Sequence, residues 1–554
     1  MKRDVVKILQ ASLETLGMPP CTEIEVEIPK AESFGDISSP VAMGLAKSLK
    51  KAPRKIAQEI VDSIQDKSIF EKIEIAGPGF INFTFTGTYL CSSLRDLLSG
   101  QKVFLRENIG HGRKVLVEYV SANPTGPLHI GHARGAAVGN ALCNLLEESG
   151  FTVEREYYIN DAGRQIRLLG ESVHAKYMQE YGGRKDYPFP DDGYKGEYIG
   201  EIALQFKHDN IIKAEAGYFD NKNFDDFAEI FIDYSYKKML ERIKSDLKNF
   251  GVSFDAWVSE KQLYKKGEVT GAIEALRAKG FIYEKDGAIW FRSTDFGDDK
   301  DRVIIKSDSE YTYFASDMAY HKDKLDRGFD IIIDVWGADH HGYIPRIESV
   351  MKAFGYDSSR FRVILVQMVN LLKHGEPFQM SKRAGTFVTL GEVVELVGAD
   401  NAKFIFLTRK SDSHLDFDID VVKATSAENP VYYVQYANAR INSIFMNAKE
   451  KGIDIGHLRD RDLSLLSKME ELALIKKLLS YPMVLEGAAR AYEPHRITFY
   501  LQELAGMFHP YYHKHKVVTE DVETTHSRLA LCSAIKVVLR DALSILGVTA
   551  PEKM

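Results

Sequence analysis

The spacing of apolar and polar positions changes several times along the chain, and each change marks a boundary. Over residues 1–105, MKRDVVKILQASLETLG has a helical period. It is followed by an extended TEIEVEIP, a helical SSPVAMGLAKSLKKAPRKIAQEIVDSI and an alternating KIEIAGPGFINFTF, together the pattern of an α/β unit with its own core. HGRK at 111–114 opens something new. VLVEYV (115–120) has the density of a strand buried on both faces, ARGAAVGNALCNLLEESG (133–150) is a helix stopped by Gly150, and FTVEREYYI is the next strand. DIIIDVW (330–336) and RVILVQMV (362–369) supply further strands, so residues 106–400 predict a doubly wound parallel sheet of Rossmann type. Between its halves, about 170–270, the chain is polar, charged and aromatic and reads as a mostly helical insertion. From 401 to 554 the strand signal vanishes, and LSLLSKMEELALIKKLLSYPMVL and RLALCSAIKVVLRDALSILGV predict an all-helical domain.

Length agrees with several units, since 554 residues exceed what one hydrophobic core serves. The longest apolar runs fall short of the roughly 18 residues a spanning helix needs. The amino-terminal helix carries Asp4 and Glu14 and has no cleavage-site pattern, so neither membrane nor export is expected. Four scattered cysteines (Cys21, Cys91, Cys143, Cys532) suit neither a disulfide framework nor a zinc site and fit a reducing cytoplasm. A net charge of −7 does not itself suggest nucleic acid, so any such surface must be a local patch.

The chemistry concentrates in two segments. In SANPTGPLHIGHARGAAVGN (121–140), His129 and His132 stand where a helix begins after the first strand of the sheet. Unpaired N–H groups and the helix dipole make that place an anion site, and imidazoles three apart point the same way. They could stabilise charge on a phosphate under attack, or simply cap the helix and pack. Gly131 would let a flat group approach the backbone, and Gly131, Gly135 and Gly139 read as close-packing positions. In PFQMSKRAGTFVTL (377–390), Ser381, Lys382 and Arg383 lie in a Gly-containing loop that could close over a triphosphate or be a solvated turn. Both segments follow strands on opposite halves of one sheet, where doubly wound folds bind nucleotides, and ATP is the expected ligand.

HIGH at 129–132 and MSKR at 380–383 resemble the two signature motifs of class I aminoacyl-tRNA synthetases. The strings EYVSANPTGPLHIGHARG, YYINDAGRQ, SDMAYHKDK, YYVQYANARI and DALSILGVTAPEKM are similar to the arginyl-tRNA synthetases over essentially the whole chain. One departure is Gln379, where the family's second signature begins with lysine.

The resemblance implies that L-arginine and ATP form arginyl-adenylate and pyrophosphate, and that tRNA(Arg) then takes the arginyl group at its 3′ end. It implies catalytic roles for His129, His132, Lys382 and Arg383, and an ATP site including Pro124, Gly131, Met380 and Ser381. It also implies an arginine pocket of Glu118, Asn123, Tyr313, Asp317 and His340. A guanidinium, with five N–H donors and a permanent charge, needs such carboxylates and planar acceptors. By their position after the strand DIIIDVW, Asp339 and His340 should lie near the nucleotide or the arginine. Mg²⁺ is expected to accompany ATP without a dedicated cage. Lys47, Lys50, Lys51 and Arg54 in the N-terminal domain would approach the tRNA elbow; Tyr432, Tyr436 and Arg440 in the helical domain would approach the anticodon. YYHKHK (511–516) reads as a basic aromatic face, and the spacing of His509, His513 and His515 also admits a metal. Adenylate formation is expected to wait for bound tRNA, and the protein to be a cytoplasmic monomer. Rival readings are a class I synthetase for another amino acid, or a tRNA-binding paralogue without activity.

Overall fold

The first helix, α1 (Lys2–Thr15), buries Val5, Leu9 and Leu13 along one face, at the spacing its sequence sets. The computed structural model describes the chain except residues 22, 30, 100, 102–104, 216, 220–222 and 379–387. Gln379, Met380, Ser381, Lys382 and Arg383 therefore lie outside the described residues. After β1 (Ile37–Ser39), the long helical stretch of the sequence forms two helices, α2 (Val41–Leu49) and α3 (Pro53–Ser63). Lys50 adopts a left-handed conformation (φ 49°) and Pro53 sits in the first turn of α3, which together end one helix and start another. The alternating segment folds back on itself as an antiparallel pair, β2 (Phe70–Ala76) and β3 (Phe80–Phe85), with β1 on the far side of β3. Among the described residues of TEIEVEIP (23–29) there is no strand and only a single bridge, Glu27 to Ser38. Helix α4 (Gly87–Leu98) leads out of this unit.

The central sheet contains β4 (Lys114–Glu118), β5 (Thr152–Ile159), β6 (Ala256–Ser259), β10 (Ile331–Gly337) and β11 (Phe361–Val366), all parallel, in the order β11-β10-β4-β5-β6. Helix α5 (Ile130–Glu148) joins β4 to β5. The chain next makes α6 (Arg164–Glu180), α7 (Glu197–Asp209), α8 (Ile211–Glu215) and α9 (Ala228–Asn249) before β6. The insertion is thus helical, but the expected 170–270 range contains a strand of the main sheet. Helices α10 (Glu260–Lys265) and α11 (Glu268–Ala278) precede a small antiparallel sheet, β7 (Ile282–Lys285), β8 (Ala288–Phe291) and β9 (Arg302–Ile305). Then α12 (Tyr313–Asp326) returns the chain to the switch point between β4 and β10, and α13 (Ile344–Phe354) joins β10 to β11.

Alternate residues of each strand face opposite layers. Val115, Val117, Ile331 and Ile333 join the core shared with α5, whereas Leu116, Ile332 and Tyr158 pack against α11, α12 and α13. Beyond β11, β12 (Val369–Lys373) pairs with β13 (Glu376–Pro377) and, in parallel, with β14 (Leu415–Asp418). The region from 401 is therefore not wholly helical. β14 is too short to stand out in a sequence, and only its partner, far earlier in the chain, makes it a strand. Helices α14 (Leu390–Val397), α15 (Ala399–Phe406) and α16 (Ile419–Lys423) surround this small sheet, and α17 (Pro430–Glu450), α18 (Met469–Ala491), α19 (His495–Lys514) and α20 (Val522–Ile545) form the terminal bundle. Among the described residues, no helix is long and apolar enough to cross a membrane.

Candidate active site

Register alone places three carboxylates side by side across the middle strands, level with the carboxyl end of β4. Glu118 on β4 is paired with Asp334 on β10 and with Glu156 on β5, and all three point to the layer of α12. Helix α12 supplies their partners. Lys324 Nζ donates to Glu118 Oε2 (2.5 Å) and Asp334 Oδ1 (2.7 Å), and His321 Nε2 lies 3.0 Å from Asp334 Oδ2. The Tyr320 hydroxyl donates to Glu156 (2.6 Å), which Arg327, just past the helix, also holds. Immediately after Glu118 the backbone is strained: Val120 (φ 69°) and Ser121 (φ 40°) are both left-handed, at a cost of about 1–3 kcal/mol each. Ser121 Oγ donates to Glu118 Oε1 (2.8 Å) and accepts from the Tyr158 backbone N–H (3.1 Å), and the Tyr157 hydroxyl donates to the Ala122 carbonyl (2.9 Å). These bonds hold the turn that leads to Asn123 and Pro124.

Beside this row Tyr158, Glu260, Asp317 and Tyr343 form an acidic, aromatic cluster. The buried Tyr158 hydroxyl and Glu260 Oε2 have no hydrogen-bond partner among the described residues. Buried polar groups left unpaired in this way require an explanation, and a polar ligand is one. Burial pushes the Tyr158 hydroxyl far above its ordinary range, and the charges of Glu260, Asp317 and Glu118 add to that. Asp317 accepts from the Tyr343 hydroxyl. Burial raises the carboxyls of Asp317 and Glu260, as it does that of Glu118, where Lys324 works against the rise. Tyr313 is 62% exposed at the first position of α12, its hydroxyl facing Gly163 in YYINDAGRQ.

Of the residues expected from the sequence, Glu118 and Asp317 thus converge, with Tyr313 at the rim. Asn123 is exposed and donates to Gln165 (2.8 Å), while His340 and Asp339 lie 3.6 Å apart on an exposed turn after β10. Glu260 was missed because β6 was read as insertion. The available signal was its place directly after a strand of the sheet, with Ser259 and Lys261 N–H bonded to Asp161 (2.7 and 2.9 Å).

The two histidines occupy the start of α5 with an arrangement that fixes their protons. His129 Nδ1 accepts from the Gly131 N–H (3.1 Å) and His132 Nδ1 from the His129 N–H (3.3 Å), so each neutral ring carries its proton on Nε2. Burial lowers both pKa values, that of His132 to about 3 with His129 contributing, and the rings stack at 3.7 Å. Capping and anion donation are therefore compatible: one nitrogen caps the helix and the other carries the donor. A Cβ at position 131 would come within 3.0 Å of the His129 ring, and one at 139 within 2.3 Å of Tyr119, so both glycines serve close packing; Gly135 has open space around it. The chain just after residues 379–387 reaches the same place. The Ile130 N–H donates to the Val388 carbonyl (3.0 Å) and the Leu390 N–H to the Leu128 carbonyl (2.7 Å), bringing the flank of the 379–387 segment against the first motif. Arg134, fully buried one turn on, donates to the carbonyls of Gln367, Ser413 and Lys410 (2.8–3.0 Å) and ties α5 to the small sheet beyond.

Three family models match the chain: an arginyl-tRNA synthetase N-terminal domain over residues 3–85, a class I tRNA synthetase (R) catalytic domain over 93–445, and a DALR anticodon-binding domain over 434–554. The arginine–tRNA ligase of Syntrophotalea carbinolica is 48% identical over 533 residues, covering 96% of this chain and 95% of that protein. This chain belongs to the arginyl-tRNA synthetase family. The Bacillus subtilis arginine–tRNA ligase is 46% identical and spans 100% of this chain and 99% of its own. The fold matches Thermus thermophilus arginyl-tRNA synthetase with a TM-score of 0.78 at 21% identity, each chain covered completely.

The surfaces that the arginyl-tRNA synthetase resemblance assigned to RNA differ in character. Lys47, Lys50, Lys51 and Arg54 are exposed, with Lys51 paired to Glu59 (2.9 Å) and Arg54 donating to the Gly77 carbonyl (3.1 Å). On α17 the rings of Tyr432 and Tyr436 stack at 5.8 Å, and the Arg440 guanidinium lies over Tyr436 (5.0 Å) and Tyr512 (5.2 Å). Tyr511 is not on that face but in the bundle core, within hydrogen-bonding reach of Glu471 (3.3 Å). His509 Nε2 meets the Tyr433 carbonyl (3.0 Å) and His515 faces Glu470 (3.4 Å), so these two histidines are directed to different partners.

Proposed function

We propose that the acidic pocket beside α12 binds L-arginine and that His129 and His132 face the reacting phosphate of ATP, in a chain whose activity is that of an arginine–tRNA ligase. ATP and L-arginine yield arginyl-adenylate and pyrophosphate, and the arginyl group then passes to the 3′ end of tRNA. The observation that carries the pocket assignment is the convergence of Glu118, Asp317 and Glu260 on an unpaired tyrosine hydroxyl. Glu118 already shares Lys324 with Asp334, whereas Asp317 and Glu260 have no cation bonded to them among the described residues. A guanidinium would supply both the charge and the donors that these groups lack. The arginine carboxylate then attacks the α-phosphate, with the two imidazoles donating to the charge that builds there, while Lys382 and Arg383 hold the departing pyrophosphate. Asn123, Tyr313 and His340 border the amino acid, and Pro124, Gly131, Met380 and Ser381 the nucleotide.

Mg²⁺ would accompany ATP on its phosphates, without a dedicated cage of protein side chains. The patch of Lys47, Lys50, Lys51 and Arg54 and the ladder of Tyr432, Tyr436 and Arg440 are the two places where tRNA would be held, by phosphate contacts and base stacking respectively. Four free cysteines suit a cytoplasmic protein, here taken as a monomer.

Pyrophosphate exchange tested with every amino acid, with and without tRNA, is the deciding experiment. Exchange should depend on arginine alone and become appreciable only when tRNA(Arg) is present, since binding energy from distant tRNA contacts would assemble the site. Exchange driven by another amino acid overturns the substrate; no exchange under any condition leaves a binding paralogue.

Arginine binding should also release protons. In the empty pocket, burial raises Asp317 and Glu260, so a fraction of the pocket is protonated above the ordinary carboxylate range of about 4, and a bound guanidinium favours the ionised form. Affinity for arginine should therefore fall as the pH drops toward that range. Calorimetry in buffers of different ionisation enthalpy reads the released protons directly, and binding with no proton release would remove Asp317 and Glu260 from contact with the ligand.

A further inference from the structure

The row Asp334, Glu118, Glu156 is an electrostatic problem created by the sheet itself. Parallel pairing in register sets like charges opposite one another, and in a buried layer one carboxylate of such a pair would take up a proton. Lys324 prevents this for the pair on β4 and β10. It stands between Glu118 and Asp334, at 2.5 and 2.7 Å, with its ammonium 4.3 Å from the Tyr320 ring. Lys324 and Asp334 are wholly buried, and Glu118 is 7% exposed. Only Glu118 of the row continues toward the pocket: its other oxygen is held by Ser121, at the crest of the left-handed turn leading to Asn123.

We propose that Lys324 is a positioning residue for arginine activation, one that touches no substrate but keeps Glu118 an oriented carboxylate and, through Ser121, keeps the strained turn in place. The inference rests on the assignment of the pocket to arginine. Without the ammonium, Glu118 and Asp334 share a proton, Glu118 has no fixed direction, and the pocket loses part of its negative field. The charged and titratable groups facing the pair are Asp317, Tyr320 and His321 from α12 and Glu156 and Tyr158 from β5. None of these replaces the ammonium: the two ring nitrogens of His321 are taken by Asp334 and the Asp317 carbonyl, and Arg327, past the end of α12, is held by Glu156. A role confined to folding would lower stability and the amount of active enzyme without separating one substrate from the other.

Two matched double variants separate the roles: Lys324→Met with Asp334→Asn, and Lys324→Met with Glu118→Gln. Each removes the ammonium and one carboxylate, so charge and packing change alike, but only the first leaves Glu118 ionised. KM values for arginine and ATP are measured by tRNA-dependent exchange from mildly acidic to alkaline pH. The first double variant should keep an arginine KM within about threefold of the parent. The second should raise it about thirtyfold or more, with the KM for ATP nearly unchanged in both. The single Lys324→Met variant, where it folds, should show an arginine KM that recovers as the pH rises and the shared proton is lost. Double variants that behave alike in a parent that activates arginine overturn this inference alone. A parent that activates no arginine overturns the pocket assignment and this inference together.

Discussion

Asp317→Asn should raise the KM for arginine by about thirtyfold to several thousandfold and leave the KM for ATP within about threefold. The asparagine keeps an oxygen for the Tyr343 hydroxyl, so the local packing and that hydrogen bond survive, and what is lost is charge. Truncating one side of a buried ion pair costs about 2–5 kcal/mol, with tenfold for each 1.4 kcal/mol. Among the described residues Asp317 has no lysine or arginine bonded to it, in contrast to Glu118, Glu156 and Asp334, which α12 and its end already serve. Its charge is therefore available to a ligand, and its substitution should hurt more than its position at the edge of the row suggests. Glu260→Gln should act in the same direction for the same reason. Steady-state exchange at varied arginine and varied ATP reads both constants; equal rises in the two would show that Asp317 holds the site together without contacting arginine.

His132→Ala should slow adenylate formation about a hundredfold or more at saturating arginine and ATP. Removing one preorganised donor from a developing anion costs about 2.7–4 kcal/mol in the transition state, while a cap is worth only about 1 kcal/mol of stability. The hydrogen bonds allow the two contributions to be taken apart. Asparagine at 132 can present its oxygen where Nδ1 accepts from the His129 N–H, but has nothing at the place of Nε2. His132→Asn should therefore restore stability without restoring rate. A His132→Asn enzyme as fast as the parent would reduce the histidine to a cap. Because the ring is neutral down to about pH 3, no loss of rate between mildly acidic and alkaline pH should come from its titration.

Much of this molecule could be read along the chain because the relevant signals are local. The apolar run 115–117 and the glycine at 150 bracket a βαβ unit whether or not the rest of the sheet is known. The HIGH segment announces itself through residues three apart at a helix start. The same reasoning fails where an element owes its existence to a distant partner. β6 and β14 have four residues each and no pattern of their own; they are strands because β5 and β12 lie beside them. TEIEVEIP has the alternation of a strand and gains only one bridge, because β1, its neighbour there, is three residues long.

The site divides in the same way. The sequence by itself determined the family and the two signature segments, since those follow from residue types at short spacings, and through that resemblance it proposed Glu118 and Asp317 for one pocket. Only the tertiary structure decided that Glu260 joins them, that Glu118 is shared with Lys324, and that Asp334 and Glu156 stand beside it. Each of these depends on the register between parallel strands and on where α12 crosses them, which is set by packing between segments as far as 206 residues apart in the chain and leaves no trace in the spacing of neighbouring residues.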